Sequence, residues 1–309
     1  MDGSNGPPIR VICGPTAAGK TFAAVWFASL ADVSVVSADS RQVYRGFDIG
    51  TSKPTVREQL AAPHLGIDVL DPTERASAAW WADHADRWID EIVAQQRTPI
   101  VVGGTGLYLR ALFGALFEEP PMHAGDRAAI QASLADHSTE ELRRWVTALD
   151  PGRAHLGRTQ LLRAIEIALL TGRRVSDLHR ENARAPRRRA RYLVVDPGPS
   201  LAFHIEGRAR MMLGGGWHEE VRQLMRDVPA DAPAWNATGY RTIRESVRGH
   251  MSFSEAEKRI VIETRQYAKR QRTWFRHQLA GEDVTRLSVH EPAWEQRAAA
   301  WWTAEEGGA

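Results

Sequence analysis

Apolar positions in this chain follow two periods, and the alternation between them lays out the expected fold. Residues 9–13 (Ile-Arg-Val-Ile-Cys), 33–38 (Val-Ser-Val-Val-Ser-Ala) and 99–102 (Pro-Ile-Val-Val) are short β-rich runs bounded by turn residues, as buried strands require. Helical spacing follows the first of them. It predicts a helix over 21–30 with Phe22, Val25, Trp26 and Leu30 turned to the sheet, and another over 76–96 with Trp80, Ala85, Trp88, Ile92 and Val93 inward. Strands alternating with helices predict an α/β class with a parallel sheet. Between 45 and 71, Gly46, Gly50, Pro54, Pro63 and Gly66 punctuate a long loop-rich segment, a length that in a compact domain points to function. His64 and Asp68 in it lack the further ligands a metal site needs.

Past Phe117 the strand signal fades. Residues 118–122 (Glu-Glu-Pro-Pro-Met) read as a linker, and 128–134, 139–149 and 160–171 read as helices. The last carries Leu161, Leu162, Ile165, Ala168 and Leu169 on its apolar side, with Gly172 placed to end it. Strand character returns at 191–196, followed by a helix over 200–213 closed by Gly214, Gly215 and Gly216, and by another over 217–225. The expected division is a core over 1–119, an all-helical insertion over 120–190, and the rest of the core with C-terminal helices over 191–309. The alanine-rich tail from 297, with Trp301 and Trp302, is expected to fray at its end.

Composition excludes more than it identifies. With 309 residues, 43% hydrophobic, 25% charged and a formal net charge of +2, the chain is globular in character and long enough for two domains. Its single cysteine, Cys13, excludes an internal disulfide framework and a cysteine-based zinc site, and reads as a core residue of the first strand. No apolar run reaches the roughly 18 residues of a membrane span. The start, Met-Asp-Gly-Ser-Asn-Gly-Pro-Pro, lacks the basic and apolar regions of a signal peptide, so a cytoplasmic location with no membrane contact is expected. Charge is nevertheless uneven: Arg180, Arg184, Arg187, Arg188, Arg189 and Arg191 crowd one stretch, and a second basic stretch covers 258–276. Such runs read either as solvated loops or as contacts for an acidic partner.

The chemistry starts at Gly14-Pro15-Thr16-Ala17-Ala18-Gly19-Lys20-Thr21, which fits the phosphate-loop pattern G-x-x-x-x-G-K-[ST] directly after an expected strand. Glycines let successive N–H groups and the helix N-terminus point at an anion, Lys20 adds a point charge, and the Thr21 hydroxyl can hold Mg²⁺. Ligands of an open α/β sheet gather beyond the carboxyl ends of its strands, so Asp39 would stand beside this loop as a base or metal partner, or simply cap the next turn. The strand at 99–102 runs into Gly103-Gly104-Thr105, where phosphate-loop hydrolases usually carry an aspartate for Mg²⁺. That points to phosphate binding without γ-phosphate cleavage. Thr105 faces the same crevice or serves as a helix N-cap.

Three blocks together, the phosphate loop, Asp39-Ser40-Arg41-Gln42-Val43-Tyr44 running on to Pro54, and Gly103-Gly-Thr-Gly-Leu-Tyr108, resemble the signature of the tRNA dimethylallyltransferases, also called tRNA isopentenyltransferases. Gly239-Tyr240-Arg241 and residues 264–276 (Thr-Arg-Gln-Tyr-Ala-Lys-Arg-Gln-Arg-Thr-Trp-Phe-Arg) match that family's C-terminal pattern, so the resemblance covers 9 to about 276. It implies a phosphate-loop NTPase-like core, with the helical insertion helping to grip the anticodon stem-loop. The implied reaction is transfer of a dimethylallyl group from dimethylallyl diphosphate to N6 of adenosine 37, in tRNAs reading codons that begin with U. By resemblance Asp39 is the general base, the loop residues 14–21 and Arg208 hold the diphosphate, and Mg²⁺ is the cofactor. The catalytic group so implied is Asp39, Thr105, Arg208 and Lys20. The tRNA side is Asp39, Ser40, Arg41, Gln42, Thr105, Gln160, Arg163, Gly239, Tyr240, Arg241, Lys269, Arg270, Arg272 and Arg276. In the insertion the chain departs from the pattern, with Leu156-Gly157-Arg158-Thr159-Gln160 where the family has an Asn-Asp pair and two arginines.

The residues themselves also suit this partner. Cations at 269, 270, 272 and 276 interleave with Tyr267, Trp274 and Phe275, a mixture that can bind RNA phosphates and stack on unpaired bases, although an amphipathic helix with Trp274 in the core has the same pattern. Partners expected are tRNA and dimethylallyl diphosphate, with the chain a monomer. A nucleotide or small-molecule kinase on the same fold, and a non-catalytic RNA-binding protein, are the alternatives.

Overall fold

The computed structural model describes residues 6–114, 122–181, 186–281 and 283–304. Most of the expected linker, Arg184 and the final five residues lie outside them. The chain divides into two compact units, Met1–Gly114 with Arg187–Ala309 and Ala115–Pro186.

In the larger unit the elements run β1 (Ile9–Cys13), α1 (Lys20–Ala28), β2 (Val33–Ser37), α2 (Val56–Ala61), β3 (His64–Leu65), α3 (Ala78–Ala94), β4 (Thr98–Gly103) and α4 (Gly106–Phe113). The smaller unit contributes α5 (Ala124–Ser133), α6 (Thr139–Leu149), α7 (Arg158–Thr171) and α8 (Val175–Glu181). The larger unit resumes with β5 (Ala190–Val195), α9 (Leu201–Gly214), α10 (Trp217–Asp227), α11 (Tyr240–Val247), α12 (Phe253–Gln278), β6 (Val284–Leu287) and α13 (Trp294–Thr303).

Six strands form one parallel sheet in the order β3-β2-β4-β1-β5-β6. Its strands are buried nearly end to end, which is why they read as continuous apolar runs rather than alternating ones. Register decides where the chemistry falls. Cys13 pairs with Gly103 on one side and Val194 on the other, and Ser37 pairs with Val102, so the loops after β1, β2, β4 and β5 leave the sheet at one edge.

Two helix faces differ from the periodic reading. On α1 the buried residues are Ala23, Ala24 and Phe27, while Phe22 and Leu30 are more than half exposed. Ala23, Ala24 and Phe27 form the face that α1 lays on the sheet, in one core cluster with Ile12, Val35, Ile100 and Leu193. Trp26 turns sideways onto Trp294 (ring centroids 5.0 Å apart), and Phe27 stacks on Trp302 at 4.7 Å. On α3 the buried tryptophan is Trp81, whose indole N–H donates to the Ser37 carbonyl at 2.9 Å; Trp80 and Trp88 are half-buried and Val93 is exposed. The alanine-rich tail is a packed helix, α13, which shares a core cluster with α1 and touches β6; the Arg10 guanidinium donates to the Trp302 carbonyl at 2.8 Å.

The smaller unit has its own core around Leu142, Val146, Leu161, Ile165 and Leu178. On α7 the inward stripe takes in Ala164, Glu166 and Ile167, and Leu169 is exposed. Glu166 can be buried because Gln131 and Arg163 bond to it and Arg127 stands 3.6 Å away.

Candidate active site

The loop from β1 to α1 is held in shape before any ligand arrives. Gly14 has φ +145°, and a Cβ there would lie 2.1 Å from the Val195 carbonyl oxygen, so no other residue fits. Ala17 (φ 62°) and Gly19 (φ 93°) complete the curl. Residues Thr16 to Thr21 line a cavity of about 440 Å³, with Asp39, Arg208, Tyr267 and Gln271 on its walls. Gly14 and Pro15 stand behind this lining, the first as the turn and the second through its carbonyl, which accepts the Lys20 ammonium at 2.8 Å. Thr16 is a correction to the expected set of N–H donors: its N–H is given to Gln271 Oε1 at 2.8 Å.

Gln271 is the residue that sequence reading missed. From α12 it accepts from Thr16 and donates to the Gly104 carbonyl (2.9 Å), tying the β1 and β4 loops together across 255 and 167 positions of sequence. It is buried, and a Cβ on Gly104 would strike it at 2.4 Å, which explains the second glycine of Gly-Gly-Thr. The signal available in the sequence was its place in the block 264–276.

A narrower cavity of about 50 Å³ opens from the first, with Thr16, Asp39, Thr51, Arg208 and Tyr267 common to both walls. Its inner end is apolar, formed by Ile205, Ala209, Met212, Trp217 and Ile260. Asp39 sits at the junction. Its Oδ1 accepts the Arg41 N–H at 2.8 Å, an Asx-type turn that orients the carboxylate. Thr105 holds the N-cap position of α4 without capping it; its hydroxyl oxygen accepts the Ser40 N–H at 3.0 Å and thereby joins the β2 and β4 loops. Tyr267 bonds to Thr105, and burial followed by the Asp39 charge holds its phenol well above the usual range, so it stays protonated.

Electrostatically the cavity is poised for an anion. Burial, then the Arg208 guanidinium, lowers Lys20 to about 8, with Asp39 pulling it back upward. Burial likewise lowers Arg208, opposed by Asp39 and Tyr267. Two confined cations face one carboxylate, an arrangement that gains when a polyanion enters. Among the described residues no group of three or more His, Cys, Asp or Glu forms a metal cage. The Thr21 hydroxyl on the cavity wall suits Mg²⁺, which takes one or two protein oxygens and completes its shell from water and substrate phosphates.

Residues expected on the RNA side divide into exposed and committed ones. Lys269, Arg270 and Arg276 are exposed on α12, with Arg270 5.9 Å from the Tyr267 ring centre, and Arg41 lines the inner cavity. Ser40 lies between Asp39 and Arg41 on the same loop, and Arg241 is exposed and bonds Asn236. Gln42 is spent within its own loop, donating to the Thr51 and Ser52 carbonyls (3.2 and 3.0 Å). Tyr240 is fully buried: its hydroxyl donates to Glu220 at 2.7 Å and accepts the Gly50 N–H at 3.1 Å, so it is a core strut rather than an RNA contact. Gly239 (φ 86°) starts α11 against the Trp217 ring.

Arg272 is also committed, paired with Asp196 (2.9 Å) and the Gly198 carbonyl. Trp274, expected in the core, is half-buried against Gly106. Within the smaller unit Gln160 accepts the Gly157 N–H at 3.4 Å and Arg163 pairs with Glu166. In the arginine run, Arg187 bonds Asp83, and Arg188 bonds Asp86 and Asp90 (2.6 and 2.7 Å), anchoring the start of β5 to α3.

Comparison with known proteins reaches one family by three routes. A family model described as IPP transferase matches residues 42–278, and one described as isopentenyl transferase matches 7–65. A tRNA dimethylallyltransferase of Thermomicrobium roseum is 39% identical over 297 residues, 94% of this chain and 89% of the relative. One of Methylococcus capsulatus is 40% identical, covering 97% and 98%. Among solved structures, the tRNA isopentenylpyrophosphate transferase of Bacillus halodurans aligns with a TM-score of 0.66 at 30% identity, over 94% of this chain and 93% of that one.

Proposed function

The chain belongs to the IPP transferase family, and we infer from its site that it transfers a dimethylallyl group from dimethylallyl diphosphate to N6 of adenosine 37 in tRNAs reading codons that begin with U. The observation that carries the residue roles is the junction: the phosphate cavity and the apolar slot share Asp39, Arg208 and Tyr267 at their meeting point. A donor with a charged head and a five-carbon tail matches that division, and its C1–O bond falls where the two cavities meet.

As the C1–O bond breaks, its electron pair stays on the diphosphate, where the loop N–H groups of 17–21, Lys20 and Arg208 stabilise the growing charge. Mg²⁺ held by Thr21 and the phosphate oxygens would add Lewis-acid stabilisation of the same leaving group. The adenine N6 lone pair forms the new C–N bond, and its proton passes to Asp39, whose Oδ1 is pinned by the Arg41 N–H. Thr105 and Tyr267 orient the acceptor side of the junction. The base reaches them only if it leaves the anticodon stack. Lys269, Arg270, Arg276 and Arg41 supply the phosphate contacts that hold it there. A kinase would need neither the apolar slot nor these cations, and no relative above carries that name.

The test is incubation of the protein with unmodified tRNA, dimethylallyl diphosphate and Mg²⁺, followed by nucleoside digestion and mass spectrometry for isopentenyladenosine. The wild type is expected to form it, and Asp39→Ala to lose about 10²- to 10⁴-fold in kcat. Full activity of Asp39→Ala would remove the base assignment and leave the reaction standing. Absence of product from folded, tRNA-binding wild type would overturn the reading.

A further inference from the structure

Two histidines from different elements meet at the rim of the phosphate cavity, and the reaction above uses neither. His204 lies on α9 one turn before Arg208, and His290 lies in the loop between β6 and α13. Their rings stack with centroids 4.2 Å apart and planes 12° from parallel. Both line the same cavity as Lys20 and Thr21. Val289, next to His290, packs against Gly19, where a Cβ would come within 2.5 Å, so the pair is seated directly on the phosphate loop.

Two imidazolium rings at this distance repel, so a second positive charge on the pair is disfavoured unless an anion offsets it. Burial, then His290, lowers the His204 pKa in keeping with that. The neighbouring charges do not cancel the pair. Glu206 of α9 is bonded to Arg265 of α12, and Glu291 is bonded to Arg297 at 2.9 Å. Ser200 is a weak polar neighbour at 3.4 Å from His204, and the cavity walls add Lys20, Arg208 and the single carboxylate of Asp39. An incoming diphosphate is therefore the charge that changes the pair's state, and it favours the protonated form.

We propose that His204 and His290 form a proton-linked outer clamp for the diphosphate: binding draws a proton onto the pair and tightens it, and loss of that proton loosens the pyrophosphate product. The proposal rests on the phosphate cavity being the donor site. The sign follows from linkage: a bound anion raises the proton affinity of the pair, so the extra affinity is present below the free pair's titration and is lost as pH rises through the bound one's.

The experiment is calorimetric titration of the full chain with inorganic pyrophosphate and Mg²⁺ from pH 6.0 to 8.5, in buffers of different ionisation enthalpy. Wild type is compared with His204→Gln/His290→Gln, with His204→Lys and with Lys20→Ala; the ligand's own protonation is common to all four. The double variant is expected to bind about 5- to 20-fold more weakly at pH 6.5, to converge on wild type by pH 8.5, and to take up about half to one proton fewer. His204→Lys, a permanent cation, should keep wild-type affinity at low pH and lose less of it as pH rises. A double variant that melts like wild type and matches its affinity and proton uptake throughout would overturn the clamp while Lys20→Ala still loses binding. If Lys20→Ala binds as tightly as wild type, the donor-site reading itself fails.

Discussion

At the scale of single residues, the site is a set of groups fixed by local motif and a second set fixed by distant packing. Lys20, Asp39 and Thr105 were legible because each sits at a set offset from the end of a strand, and the parallel register brings those ends together. Gln271 was not, and Tyr267 stood out only as an aromatic among cations, because what places both in the cavity is the docking of α12 on loops more than 160 positions away. Gln271→Leu leaves the Thr16 N–H and the Gly104 carbonyl buried without partners, and should cost about 2–4 kcal/mol in chemical denaturation and raise the KM for the donor. Lys20 gives a pH prediction. In the free protein its ammonium titrates at about 8 because burial and Arg208 oppose its charge. A bound diphosphate restores that charge, so pyrophosphate affinity should hold below pH 8 and fall above it by up to about tenfold per unit. Titration of His204→Gln/His290→Gln separates this window from the imidazole one. A flat profile above pH 8 would mean that Lys20 does not touch the anion.

At the scale of elements, periodicity placed Ala85 and Ile92 of α3 and Leu161 and Ile165 of α7 inward, where they are, and misjudged the face of α1. On α1 the apolar residues that stood out, Phe22 and Leu30, are exposed, and the alanines that did not stand out lie against the sheet. Hydrophobicity scores favour large apolar side chains, whereas the face α1 lays on the sheet holds two alanines beside Phe27. The same reasoning explains β6 and α13. Val-Thr-Arg-Leu is too short to declare itself a strand until β5 offers an edge, and an alanine-rich tail is a core helix only because Trp294 and Trp301 pack on Trp26 and Phe27. Trp301→Ala is expected to cost about 3–5 kcal/mol, and Leu30→Ala to stay within about 0.5 kcal/mol. Equal effects of the two on the denaturation midpoint would contradict the burial that distinguishes them.

At the scale of the whole molecule, a formal net charge of +2 conceals the distribution that matters, because Arg180, Arg187 and Arg188 of the arginine run and Arg259, Arg265 and Arg272 of α12 are paired with carboxylates, while Lys269, Arg270 and Arg276 of α12 stay exposed. Sequence could show where arginines cluster and not which ones have partners: Arg187 and Arg188 fasten β5 to α3, Arg272 fastens α12 to Asp196, and Lys269, Arg270 and Arg276 stay exposed. The acceptor face should therefore be read by salt dependence. Lys269→Glu/Arg270→Glu/Arg276→Glu is expected to weaken tRNA binding by about 10- to 100-fold and to lower the slope of log K against log salt by about 2–3, as loss of that many phosphate contacts requires. Pyrophosphate binding should not change, since none of the three lines the phosphate cavity. Arg272→Glu is the contrasting case: it places a second carboxylate against Asp196 and should lower the melting temperature, so its loss of tRNA binding would come with loss of fold. If the triple variant keeps the wild-type salt slope, α12 is not the face that meets the RNA backbone, and half-buried Arg41 after β2 and exposed Arg241 on α11 become the next places to look.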